Sequence, residues 1–228
     1  MITIENNRLR KFLRILLPAV IIPATVLLGG MVFDEKRHLL VSFLVALFTV
    51  LFFLTGFEKK QVGARRVVIL SVMVALCVVG RFIPFFKPVT AITMLSAIYL
   101  GSEAGFATGA FAALLSNFYF GQGPWTPFQM LAWGLIGLIA GLLSKPLQKS
   151  RVLLLICGAV SGILFSMVMD VWNLLWTYNT LDLRLYGGVL LTALPHTVLY
   201  TVSNLVFLWL MAKPFGEKLN RIKIKYGV

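Results

Sequence analysis

Few residues in this chain could do chemistry within its apolar segments, and they gather toward one end of several of them. In "SMVMDVWNLLW" (166–176) an acid, Asp170, is followed by Asn173 and Thr177, at i, i+3 and i+7, so the three share one helix face. Trp172 and Trp176 lie beside that stripe. In "FYFGQGPWTP" (118–127) and the segment after it, Gln122 precedes Trp125, Gln129 and Trp133, the last three at i, i+4 and i+8. A Trp-Gln-Trp face is poorly suited to lipid, because the amide of Gln129 would lie below the surface without a partner. It suits the wall of an outward-open cavity. The stretch "YGGVLLTALPHTVLYTVSN" (186–204) adds Tyr186, Thr192, His196 and Tyr200, and "RFIPFFKP" (81–88) adds Arg81, Phe85, Phe86 and Lys87 as a loop able to close over a ligand. Aromatic walls, a few amides and hydroxyls and a single acid make a small-molecule binding site. Asp170 has three roles open to it: a structural pair with His196 or Arg81, direct contact with substrate, or proton relay. An ionisable group within a span marks function by default.

Catalysis has little to work with. There is no phosphate-binding G-x-x-x-x-G-K-[ST] loop, no H-E-x-x-H, no C-x-x-C and no G-x-S-x-G elbow. His38 and His196 are the only histidines. Cys77 and Cys157 fall in apolar windows and read as small buried hydrophobes. No catalytic residue, metal ligand or resident cofactor is expected. Rings of charge or carbonyls along an axis, which a conducting pore needs, are also missing.

The elements that must position these groups are membrane helices. The chain is 59% hydrophobic and 13% charged, with mean hydropathy +0.92, where soluble domains carry about 25% charged residues. Apolar windows at 15–33, 39–57, 152–177 and 185–212 are each long enough to span, and the run 104–144, free of charge, allows two passes. The reading is an all-α polytopic membrane protein of about eight helices, with both termini inside. An N-terminal transmembrane hairpin (1–60) precedes the main membrane domain (61–228). The expected helices are 10–33, kinkable at Pro18 and Pro23, a lipid-facing 39–57, 67–80, 89–101, 104–119, 126–143, 152–177, and 186–212, broken or bent near Pro195. The basic N-terminus leads into a retained span without a cleavage site. Gly101, Gly105 and Gly109 form a ridge that lets helix backbones approach closely.

Charge agrees with that topology. Inward segments hold 16 of the 21 basic residues, and outward loops hold the other five, Lys36, Arg37, Arg81, Lys87 and Arg184. That is the positive-inside distribution. It accounts for the net charge of +13 without nucleic acid, since basic ends lie beside anionic lipid headgroups. No internal repeat is evident.

The small-residue pair Ser71 and Ala75, the loop ending in Pro88, the glycine ridge, "NFYFGQGPWTPFQMLAWGLIGLIAGLL" (117–143) and "MDVWNLLW" (169–176) together resemble the substrate-binding S components of energy-coupling factor (ECF) vitamin transporters, over about residues 65–215. The resemblance implies a six-helix fold in a prokaryotic cytoplasmic membrane. It implies a subunit that captures a vitamin outside, docks on a coupling transmembrane subunit and topples to present its cargo inward. ATP and Mg would be used by two partner ATPases. Docking carries over to Ser71 and Ala75, and the ligand site to the first outer loop and the outer halves of the last three helices. The overall likeness is to cobalamin-type members, so a corrinoid is the expected ligand, with pantothenate, a queuosine precursor or riboflavin as alternatives. His196 is then within consideration as a group approaching cobalt. A stand-alone secondary transporter is the reading from another class, and an intramembrane enzyme acting on lipids a third.

Overall fold

A computed structural model describes residues 6–32, 37–56 and 63–226. Among them the chain is helical, with no strand: α1 (Asn7–Leu16), a π-helical turn (Leu17–Ile21), α2 (Ile22–Val32), α3 (His38–Thr55), α4 (Gly63–Gly80), α5 (Val89–Leu100), α6 (Ser102–Phe120), α7 (Trp125–Leu142), α8 (Ser144–Lys149), α9 (Arg151–Tyr178) and α10 (Leu183–Tyr226). Five stretches are long and apolar enough to cross a membrane: Asn7–Met31, α3, α7, α9 and Leu183–Lys225. The protein is a multi-pass membrane protein. Lys36, placed in an outward loop, and the domain boundary expected at residues 60 and 61 lie outside the described residues.

Local chemistry explains the irregular points. Pro23 has no N–H to donate to Ala19, and the helix widens just before it, with the Ile22 N–H reaching back to Leu17 O. Gly101 (φ 102°) is the one residue between α5 and α6, a left-handed corner that a side chain would strain. Two expectations need correcting. The helix expected to be broken or bent near Pro195 is unbroken: α10 runs 44 residues through Pro195 and Pro214, about 66 Å at 1.5 Å per residue. Its basic end therefore projects well past the bilayer. The span at 39–57 is not wholly lipid-facing: Val41, Val45, Thr49, Phe52 and Phe53 of α3 are buried, and Phe52 meets Phe106 of α6 edge-on at 5.4 Å.

The core is organised on α5, α6 and α7. All residues of α5 except Tyr99 are buried. The glycine ridge does its work between α6 and α7: a Cβ on Gly137 would collide with the Gly105 backbone, and one on Gly109 would lie 2.5 Å from the Trp133 carbonyl. Those vacancies bring the two backbones together and set Trp133 deep in the bundle. At the inner end, the buried Glu103 pairs with Arg14 of α1, and Arg66 donates to Gly56 O (2.7 Å) and Leu100 O (2.6 Å). The N-terminal hairpin is thereby tied to the body. Glu103 was not expected as a buried acid.

Candidate ligand-binding site

A cleft of about 310 Å³ opens between the outer halves of α7, α9 and α10. Helical periodicity places its groups. Phe165, Met169 and Asn173 recur every fourth residue along α9, with Ser166 and Asp170 on the adjoining row, and Thr192, His196 and Tyr200 do the same along α10. Gln129 of α7 and Trp172 complete the wall. Of the residues singled out from sequence, Gln129, Asp170, Trp172, Asn173, Thr192, His196 and Tyr200 thus line one space.

Asp170 is 5% exposed and accepts a long hydrogen bond, 3.4 Å, from Ser166 Oγ. Among the described residues it makes no ion pair with Arg81 or His196. Ser166 is also in a short contact with Thr197 (2.5 Å). Among the described residues the buried Trp172 indole N–H has no hydrogen-bond partner. Beneath the cleft runs an aromatic stack: Tyr200 meets Phe165 edge-on at 4.8 Å, and Phe165 stacks on Trp133 at 4.9 Å with a 24° interplanar angle. Arg81 lies on the far side, 5.4 Å from the Trp133 ring and 4.9 Å from that of Phe120.

Arg81 is itself only 9% exposed, held by Ser116 Oγ (2.5 Å) and Asn117 Oδ1 (2.7 Å) at the outer end of α6. Asn117 in turn donates to Thr126 Oγ1 (2.9 Å) and Gln129 Oε1 (2.8 Å). The loop carrying Arg81 and Lys87 is fastened to α10 by Ser203 Oγ, which donates to Lys87 O (3.1 Å). Desolvation, with the neighbouring Arg81 guanidinium, pushes the Lys87 ammonium below the usual lysine range.

Other residues singled out from sequence lie elsewhere. Trp125 packs edge-on against Trp172 at 5.9 Å, behind the wall, and Trp133 is 4% exposed behind Phe165. Gln122 donates to Leu114 O (2.9 Å), closing the turn after α6. Tyr186 donates to Met167 O (3.0 Å) above the cleft. Trp176 faces away, toward a crevice with His38 and Pro124. Phe85 is 78% exposed with φ 60°, a strained left-handed conformation for an aromatic residue, and Phe86 is also exposed. Phe165, Ser166, Met169, Asn117 and Ser116 were missed. The polar pair Ser116–Asn117 at the end of an apolar helix, opposite a lone arginine, was the available signal.

Ser71 and Ala75 are exposed on α4 and share no space with the cleft. They line an apolar groove of about 590 Å³ with Val50, Phe53 and Leu54 of α3 and Phe111 and Leu115 of α6. The Ser71 hydroxyl is satisfied by Val67 O (3.0 Å), so the groove presents no unmet polar group there.

The described residues thus hold a cleft with aromatic and polar walls among α7, α9 and α10, and a separate apolar groove beside Ser71 and Ala75. Residues 61–221 match the family model described as ECF-type riboflavin transporter, S component. The chain belongs to this family of substrate-binding subunits, which are not enzymes. The match takes in α4 through most of α10 and leaves the N-terminal hairpin outside. It does not support the cobalamin-type expectation, since the family matched is the riboflavin one. No curated protein and no solved structure matches.

Proposed function

We propose that this protein is the riboflavin-capturing subunit of an ATP-driven ECF importer. The observation that carries the reading is the family match, which spans the helices that build the cleft. The size of the cleft supports it. About 310 Å³ is at the lower end for sites that enclose a single small molecule. A three-ring flavin is of that order, and a corrin macrocycle with its nucleotide arm is several times larger. Phe165, Trp172 and Tyr200 offer aromatic surface to a flat ring system, and Gln129, Asp170 and Asn173 offer hydrogen bonds to its polar edge. Delivery follows the family's logic: Ser71 and Ala75 form the face on which the coupling transmembrane subunit docks, and the two partner ATPases hydrolyse ATP.

The test is to purify the protein alone, denature it and record the absorption and fluorescence of what it releases, then titrate the emptied protein with riboflavin. Released flavin and saturable quenching are expected. A corrinoid spectrum, or no binding by properly folded protein, refutes the assignment.

A further inference from the structure

The outer network has a direction that the chemistry of its first member dictates. Arg81 can only donate hydrogen bonds. Asn117 must therefore turn its carbonyl oxygen to Arg81 (2.7 Å) and its NH2 to Thr126 and Gln129. The same logic, rather than an assumed amide orientation, obliges Gln129 to meet Asn117 with Oε1 (2.8 Å). The Gln129 NH2, which has no partner among the described residues, is what remains for the cleft. Asn117, Ser116 and Thr126 are each at most 1% exposed, so water is excluded from the links among Arg81, Ser116, Asn117 and Thr126 and Asn117 cannot reverse locally.

We infer that Arg81 is a positioning residue for ligand specificity: through Asn117 it sets Gln129 as a hydrogen-bond donor in the cleft. The cleft then presents a donor on α7 and an acceptor, the Asp170 carboxylate, on α9. It selects a ligand edge carrying a carbonyl beside an N–H, an imide or lactam. This rests on the riboflavin reading, because the pyrimidinedione edge of a flavin has that pattern.

The test uses the full chain in lipid nanodiscs, with side-chain amides of Asn and Gln labelled with ¹⁵N and assigned by substitution. In the empty wild type the Gln129 NH2 exchanges readily with solvent and the Asn117 NH2 is protected. Asn117→Asp replaces donors with acceptors, turns the Gln129 amide over and protects its NH2. Riboflavin affinity then falls by about tenfold, the cost of facing a ligand carbonyl with a carbonyl. The wild-type preference for riboflavin over its thiocarbonyl analogue disappears too, since sulfur accepts hydrogen bonds weakly. If Asn117→Asp does not fold, Arg81→Met serves: the Asn117 amide loses its fixed orientation and its NH2 loses protection. A protected Gln129 NH2 in the wild type, or an unchanged carbonyl preference in a folded Asn117→Asp, overturns the inference. Absence of riboflavin binding would remove the proposed ligand but leave the exchange measurement to decide the relay.

Discussion

Trp133→Ala probes whether the ground beneath the cleft matters as much as its walls. The side chain touches no cleft volume directly, yet it is the spacer between Phe165 (4.9 Å) and Arg81 (5.4 Å). An aromatic stack contributes about 1 kcal/mol beyond burial, and a partly desolvated cation–π contact about another 1 kcal/mol. Losing both frees Phe165, which lines the cleft, and loosens Arg81. Transmitted in full to the bound state, about 2 kcal/mol sets a ceiling of roughly a thirtyfold rise in riboflavin Kd at 1.4 kcal/mol per tenfold. Trp133→Phe keeps a ring between the two neighbours and should cost only about threefold to fivefold. Quenching of riboflavin fluorescence by the detergent-solubilised protein gives both numbers, and a thermal melt separates them from loss of fold. Trp133→Ala with wild-type affinity and a normal melt would show that the stack is not coupled to the cleft and would refute this reasoning.

Two further outcomes follow from the packing. Gly109→Val puts a Cβ 2.5 Å from the Trp133 carbonyl, where only backbone can yield; overpacking of this kind costs about 1–3 kcal/mol, so the melting temperature should drop by several degrees, and an unchanged melt would contradict the described α6–α7 contact. Ser71→Trp and Ala75→Trp, both on the exposed face of α4, should abolish ATP-dependent uptake in cells that carry the coupling complex while riboflavin binding by the isolated protein stays within twofold. Uptake unaffected by both would remove the docking assignment.

The parts of this fold legible in the sequence were those governed by solvent. Charge depletion marked the chain as a bundle of apolar membrane helices, because a bilayer tolerates little else. The Asp170, Asn173 and His196 positions were legible for the same reason: a polar group in an apolar helix needs a cavity. What sequence periodicity could not supply was the rotation of each helix about its axis. Trp125, Gln129 and Trp133 share a stripe, yet α7 is turned so that only Gln129 enters the cleft, while Trp133 is driven inward by the space at Gly109. Trp176 follows Trp172 by four residues but ends 52% exposed. Phe165 and Met169 were invisible because a cleft-lining apolar residue and a lipid-facing one look alike in an apolar helix. Glu103 was overlooked because its partner, Arg14, comes from a different helix nearly ninety positions earlier in the chain.

The hairpin that the family match omits is more than an appendage, and Trp172 shows why. Trp172 borders the cleft and also a small crevice lined by Gly29, Gly30, His38 and Val41 of the hairpin with Phe128 of α7. The hairpin is therefore the backing of a cleft wall. Gly30 is the closest point of support: a Cβ there would lie 2.9 Å from the Phe128 ring and 3.4 Å from Leu175. Gly30→Leu must displace those side chains, which can move at their ends, so the fold should survive while Trp172 loses its seat. The expected result is a rise of about threefold to tenfold in riboflavin Kd, the order of one weakened aromatic contact, with a shift in Trp emission on ligand addition and little change in melting temperature. Wild-type affinity in Gly30→Leu would mean that α9 holds Trp172 unaided, and that the hairpin serves the inner end, through Arg14 and Glu103, rather than the ligand.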